Sequence, residues 1–372
     1  MAAHQQRWDI LCRVVDNFGD IGVCWRLAKQ LSLEYDFDVR LWVDDPATVQ
    51  RLIPQYDPKQ QSQKIHGITV LHWQEHVSAK DMLSIPDVVI EAFACDLPAP
   101  YLHAMAAKQD QPIWLNLEYL SAESWIEGFH LKPSPHPQLA LNKTFFFPGW
   151  TEASGGLLRE KGLLAARDNF QRDMLREESA IRVSLFCYPY APIHELLSAM
   201  SQSSTPIHCF IPEGSLLEQV SLFFDVPSMQ IGDRKQRGNL LVDILPFMPQ
   251  DEYDQLLWSC DLNFVRGEDS WIRALWAGRP FIWQPYRQEE ETHLVKLEAF
   301  LARYSGSLHK DSRQSLVAFH TAWAKGDFQA ADWLSLLAHL PILDSHAKTY
   351  ADEMAMQPDL ASKLVIFCKN FS

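Results

Sequence analysis

What this chain lacks narrows it first. It has no excess of positive charge: 33 Lys and Arg stand against 47 Asp and Glu, a formal net charge of −14. A protein that binds nucleic acid regardless of sequence displaces counterions with lysine and arginine, so that class is excluded. An acidic surface suits plain solubility, or the steering of a cationic partner toward a cleft. Paired cysteines are missing too. Cys12, Cys24, Cys95, Cys187, Cys209, Cys260 and Cys368 are odd in number, scattered and never spaced C-x-x-C. Neither a disulfide framework nor a structural zinc follows from them; they read as reduced core thiols, which suits the cytoplasm. No apolar run approaches the ~20 residues of a membrane span, and Met1–Arg7 contains no signal-peptide core. A cytoplasmic protein without a membrane contact is the expectation. No D-x-D pair stands at a strand end, the 14 histidines read as surface or packing residues, and no metal site is expected.

What is present is ample material for two cores. A chain of 372 residues exceeds what one core usually organises, and hydrophobic residues at 47% with charged ones at 22% are ordinary for a globular protein. Ile10–Val15 reads as a buried strand. Val23, Cys24, Leu27, Ala28 and Leu31 then recur at the spacing of one helix face. Between them lies Asp16-Asn17-Phe18-Gly19-Asp20-Ile21-Gly22, two carboxylates and two glycines in a strand-to-helix turn. In an open α/β sheet such a turn lies at the carboxyl end of the strand, where ligands bind. Further strands are expected at Val39–Val43, Ile68–Trp73, Asp87–Phe93 and Pro112–Leu117, alternating with helices. Leu131–Trp150, broken by Pro133, Pro135, Pro137 and Pro148, changes character, and Ser154-Gly155-Gly156 follows as a turn between domains or a ligand contact. A charged helical stretch, Arg167–Ser179, is expected to bridge two domains. Alternation then resumes with Ile181–Cys187, Pro206–Ile211, Asn239–Leu245, Asp261–Val265 and Pro280–Trp283.

The second informative stretch is Arg266-Gly267-Glu268-Asp269-Ser270, again between a strand and a helix. Asp269 or Ser270 suits an N-cap, which makes it an ordinary capped helix; equally, a helix N-terminus with Ser270 holds a phosphate or diphosphate, with Arg266 adding charge. One such turn per half describes two Rossmann-like domains facing across a cleft, the GT-B architecture of nucleotide-sugar glycosyltransferases. The domains are expected at 1–165, which would bind the acceptor, and 166–355, which would bind the nucleotide sugar, with a helix in 356–372 packing back on the first. A nicotinamide oxidoreductase would need G-x-G-x-x-G after the first strand, and Gly19-x-x-Gly22 lacks it. Another GT-B nucleotide-sugar enzyme (a small-molecule glycosyltransferase or an epimerase) and a non-catalytic protein-binding module stay open on the residues alone.

Those two motifs, with Trp25-Arg26-Leu27-Ala28, Asp87–Pro98, Trp114–Glu123, Ser154–Glu160 and Pro246-Phe247, resemble the EarP family, the arginine rhamnosyltransferases of bacterial elongation factor P, over almost the whole chain. The resemblance implies inverting transfer of L-rhamnose from dTDP-β-L-rhamnose to an arginine in the N-terminal domain of elongation factor P, which activates it to rescue ribosomes stalled at polyproline. It implies no cofactor and no metal. It assigns the general base to Asp20 with Asp16 as partner carboxylate, and the donor loop to Arg266, Glu268, Asp269 and Ser270, with Glu268 important for activity. Phe247 and Gln250 match a thymine-side pocket. Tyr188, within Phe186-Cys187-Tyr188-Pro189, matches a diphosphate contact, although Cys187 departs from the smaller residue frequent in relatives. The chemistry is coherent with those roles. A guanidinium is a poor nucleophile while protonated, so one carboxylate must fix its fork while another accepts the proton.

Overall fold

The computed structural model describes residues 5–15, 18–73, 84–174 and 180–371. The chain divides into two compact units: residues up to Lys161 together with those from Gln357 onward, and Gly162–Met356. The division falls at Lys161/Gly162, where Gly162 takes a left-handed φ of 82° just before the helix Leu163–Asp173.

Unit 1 is built on an eight-stranded sheet. Its strands are β1 (Arg7–Cys12), β2 (Asp38–Val43), β3 (Ser62–Ile65), β4 (Ile68–His72), β5 (Val88–Ala92), β6 (Ile113–Leu117), β7 (Pro133–Pro135) and β8 (Asn142–Phe146), in the order β3-β4-β2-β1-β5-β6-β8-β7. All neighbours are parallel except the two edge pairs, β3 with β4 and β7 with β8. Both faces are covered, which is why the central strands read as nearly continuous apolar runs. Trp8, Ile10 and Cys12 of β1 face one core, shared with Ile21, Leu27 and Leu31 of the helix Phe18–Tyr35. Leu11 faces the other, with Val89, Tyr101 and Trp114. Asp9 is wholly buried but fully engaged: Arg40 Nε and Nη2 donate to it at 2.6 Å each, Tyr101 Oη at 2.7 Å and Trp42 Nε1 at 3.0 Å. A buried carboxylate survives only when so satisfied.

The returning helix Leu360–Lys369 buries Leu360, Ala361, Leu364, Val365 and Cys368 in the first of those cores. Asp359 caps it by accepting from Ser362 N at 3.0 Å. The Ser154-Gly155-Gly156 turn serves this return and lies inside unit 1, not between domains. A Cβ on Gly155 would stand 2.6 Å from the Phe146 ring, and one on Gly156, whose φ is +75°, would stand 2.7 Å from the Pro358 carbonyl oxygen.

Unit 2 repeats the plan with β9 (Ile181–Leu185), β10 (Ile207–Pro212), β11 (Arg234–Arg237), β12 (Leu240–Leu245), β13 (Leu262–Arg266) and β14 (Phe281–Gln284), in the order β11-β12-β10-β9-β13-β14. Only β11, on β12, is antiparallel. The charged stretch from Arg167 does not bridge domains. It folds within unit 2, where buried Arg167 donates to Trp276 O at 3.1 Å and to Asp352 at 3.2 Å; its residues 175–179 lie outside the described residues. All seven cysteines are buried and reduced.

Candidate active site

In each unit the strand order reverses at one place. Unit 1 runs outward from β1 to β2 on one side and to β5 on the other; unit 2 runs from β9 to β10 on one side and to β13 on the other. Ligands of open α/β sheets bind at the carboxyl ends of the strands at such a switch point. Both informative stretches of the sequence stand there.

After β1 the helix begins at Phe18, so Gly19, Asp20 and Gly22 belong to its first turns rather than to a loop. Asp16 and Asn17 lie outside the described residues. Asp20 is 2% exposed, and its Oδ2 accepts the Val15 N–H at 2.8 Å. One residue earlier, Val14 N–H donates to Asp44 Oδ1 at 2.9 Å. Two carboxylates thus fix the exit of β1, and the helix dipole favours a negative charge at the Asp20 position. Cys12 lies beneath, its thiol pushed well above the ordinary range by a hydrogen bond with Cys24 and by burial, which keeps it out of nucleophilic chemistry. At the end of β5 next door, Phe93, Ala94 and Asp96 all take left-handed φ values (56°, 51° and 55°). Such strain persists where surrounding structure over-determines it; here Tyr119 stacks on Phe93 with centroids 4.5 Å apart, and Asp96 N–H donates to buried Glu91. Glu118, just after β6, has its pKa raised by burial and accepts a hydrogen bond from Asn116 Nδ2 at 2.5 Å.

In unit 2 the helix Asp269–Ala277 begins directly after the turn, with Glu268 at the N-cap position and no side-chain cap. Neither Asp269 nor Ser270 is the cap. Ser270 already stands inside the helix, and its hydroxyl accepts the Arg266 N–H at 3.1 Å and donates to the Arg266 carbonyl. Gly267 holds φ at +60°, a value that suits only glycine without strain. Asp269 Oδ2 accepts Gln250 Nε2 at 3.1 Å, which joins this N-terminus to that of the helix Gln250–Ser259. Half-buried Phe247 lies just upstream, between β12 and that helix. The Arg266 guanidinium lies over the rings of Phe186 and Tyr188, 4.6 and 4.7 Å from their centroids. Tyr188, Gln250, Arg266, Asp269 and Ser270, chosen from separate parts of the sequence, are therefore linked by direct contacts; Glu268 is half-buried in the same turn.

The supporting roles of four residues have no signal in the sequence. Gln284 Oε1 accepts the Tyr188 N–H at 2.7 Å, and its main-chain carbonyl accepts Gly267 N–H at 3.3 Å. Trp283 Nε1 donates to the Gly267 carbonyl at 2.8 Å, and Trp271 stacks on Trp283 with centroids 3.5 Å apart. His320 Nε2 accepts Trp283 N–H at 3.2 Å. The apolar strand Pro280–Trp283 marks a strand but says nothing of these long-range partners. Among the described residues no group of three or more His, Cys, Asp or Glu is placed to hold a metal ion, and no helix is long and apolar enough to cross a membrane.

Two Rossmann-like domains, each with a glycine-containing turn at its switch point, make the GT-B fold of glycosyltransferases. The spinosyn forosaminyltransferase SpnP shares this fold at a TM-score of 0.53 and 13% identity, over 98% of this chain and 99% of that one. Residues 8–369 match the family described as "Elongation-Factor P (EF-P) rhamnosyltransferase EarP", and the chain belongs to that family. It is 45% identical to the protein-arginine rhamnosyltransferase of Pseudomonas putida, over 98% of each chain. It is similar also, at 34% identity and a TM-score of 0.70 over 98% of this chain and 99% of that one, to a structure described as the basis for EarP-mediated arginine glycosylation of translation elongation factor EF-P.

Proposed function

We propose that this enzyme transfers L-rhamnose from dTDP-β-L-rhamnose to an arginine of elongation factor P, with inversion, in the cytoplasm and without a metal. The observation that carries this reading is the cross-braced loop after β13. Arg266, the Ser270 turn and two helix N-termini joined through Gln250 and Asp269 converge there, and such an arrangement suits a diphosphate. Phe247 lies against the thymine and Tyr188 against the diphosphate; Glu268 orients the sugar end of the donor.

The acceptor guanidinium meets Asp20, with Asp16 holding its planar fork. As a guanidinium nitrogen attacks the anomeric carbon from the face opposite the leaving group, the new C–N bond forms and the C–O bond to the diphosphate breaks. Asp20 takes the nitrogen's proton, and dTDP leaves with the electron pair, its charge met by Arg266 and the helix N-terminus. Buried Asp20 in a helix's first turn is a placed proton acceptor rather than a surface charge.

Intact-mass analysis of elongation factor P after incubation with the enzyme and dTDP-rhamnose tests the reading. A gain of one deoxyhexose, mapped to an arginine, is expected. An unmodified factor, alongside turnover of a different sugar nucleotide or a small-molecule acceptor, would replace it with another GT-B activity.

A further inference from the structure

Trp125, Phe129 and Leu131 stand together on unit 1 with 48%, 55% and 42% of their surfaces exposed. Single exposed apolar residues are ordinary, but an adjacent group marks an interaction surface. This group is also rigid. Trp125 packs edge-on against Phe129 (5.8 Å, 73°) and against buried Phe147 (5.4 Å, 81°). Beneath it, Leu131 N–H donates to the Phe145 carbonyl at 2.8 Å, and Phe147 N–H donates to His130 Nδ1 at 3.1 Å. Rings held in place bind at little entropic cost, and a buried tryptophan anchor is a frequent centre of binding energy.

Position and charge indicate what would cover it. The group sits at the carboxyl ends of β6 and β8, the second and third strands from β1. At about 4.8 Å per strand, roughly 10–15 Å separates it from the end of β1, where Asp20 stands. A standard protein interface of about 800 Å² per partner easily spans that interval. Exposed Glu127, oriented by Thr151 Oγ1 at 3.0 Å, and exposed Glu152, with half-buried Glu123 near them in the chain, outnumber the cations Lys132 and Lys363 at this face.

We propose that this aromatic face with its acidic rim is where the protein acceptor docks: a folded, basic domain that sets apolar side chains on Trp125 and Phe129 and thereby brings its arginine to Asp20. This rests on the proposed reaction with a protein acceptor, and it adds the surface that selects that acceptor. Coulombic complementarity to the rim sets the encounter rate, and the aromatic anchor sets the residence time.

The test compares wild type with Trp125→Ala/Phe129→Ala, using intact elongation factor P and its arginine loop as an excised peptide. KM for the intact factor should rise at least tenfold, with kcat at saturation, turnover of the peptide and dTDP affinity unchanged. Both side chains are half exposed, so their loss leaves the core filled; Glu152→Lys, exposed at the rim, should raise the same KM more at low salt than at high salt. An unchanged KM, or equal losses for factor and peptide, would overturn the proposal. So would a wild-type dimer that the double variant dissociates with no change in KM, since the face would then belong to a second copy. Calorimetric binding of the factor without donor separates the two readings. Wild type that binds the factor through Trp125 yet transfers no sugar refutes the reaction and keeps the surface; wild type that transfers sugar with Trp125-independent binding does the reverse.

Discussion

The turn after β1 and the loop after β13 occupy equivalent places in two similar sheets, yet they are held differently. The first is pinned by two carboxylates, Asp20 from the helix that follows it and Asp44 from the end of β2, which accept the main-chain N–H of Val15 and Val14. The second is braced by its own Ser270 and by side chains of three other segments: Tyr188 beneath Arg266, Gln250 on Asp269, and, from β14, Trp283 on the Gly267 carbonyl with Gln284 tying the Tyr188 main chain to the same layer. The contrast fits the proposed division of labour. Stabilising the charge that develops on a leaving diphosphate needs dipoles that do not reorganise during the reaction. A proton acceptor needs correct placement.

The largest expected effect comes from removing the acceptor-side charge. Asp20→Asn should lower kcat by roughly 10²–10⁴-fold, the usual cost of losing a general base, and Asp16→Asn should also impair turnover severely. Rapid-quench measurement at saturating donor checks both; near-normal turnover of Asp20→Asn would remove it from the base role. Next comes the donor loop. Arg266→Ala forfeits a charged partner worth about 1.5–3 kcal/mol, so kcat/KM for the donor should fall roughly 10–100-fold, read from initial rates at low donor. An unchanged value would make the loop after β13 only a braced helix start.

The smallest effect is on stability and comes from beneath that loop. His320 is fully buried and neutral: Trp283 N–H donates to its Nε2, its Nδ1 donates to the Leu316 carbonyl at 3.0 Å, and burial lowers its pKa to about 4. The unfolded chain, with an ordinary histidine near 6.5, binds the proton more readily. Its contribution is therefore complete above about pH 6.5 and fades as pH falls toward 4, a loss on the order of 3 kcal/mol. The urea midpoint should fall further between pH 7.5 and pH 5 for wild type than for His320→Gln. Parallel curves for the two proteins would assign the acid sensitivity to other groups, such as His130, which burial also lowers to about 4.

Both switch-point turns were legible because each combines a β-branched or apolar run, a short polar break and a helix-periodic stretch, a local signal that survives without tertiary context. The edge strands were not. β3 and β11 have few apolar residues, four and four long and mostly exposed, and β8 hides in a proline-broken segment, recognisable only from its pairing with β6. Asp20 and Gly19 were read as loop residues because two glycines suggest a turn; helix packing overrides that propensity. The residue types of Asp269 and Ser270 suit a cap, whereas the Ser270 hydroxyl is drawn back to Arg266 and Glu268 holds the cap position. Gln284 and Trp283 gave no local signal at all, since their partners Tyr188 and Gly267 lie 96 and 16 residues away.

The division of labour between the two turns is tested most directly by titrating dTDP into Asp20→Asn and Arg266→Ala in parallel by calorimetry, with folding of each verified by its Tm. The account predicts a Kd for Asp20→Asn within about twofold of wild type, and one for Arg266→Ala weaker by roughly 10–100-fold, the same 1.5–3 kcal/mol read directly as binding. A dTDP affinity lost with Asp20 and kept without Arg266 would contradict it, and would place the nucleotide in unit 1.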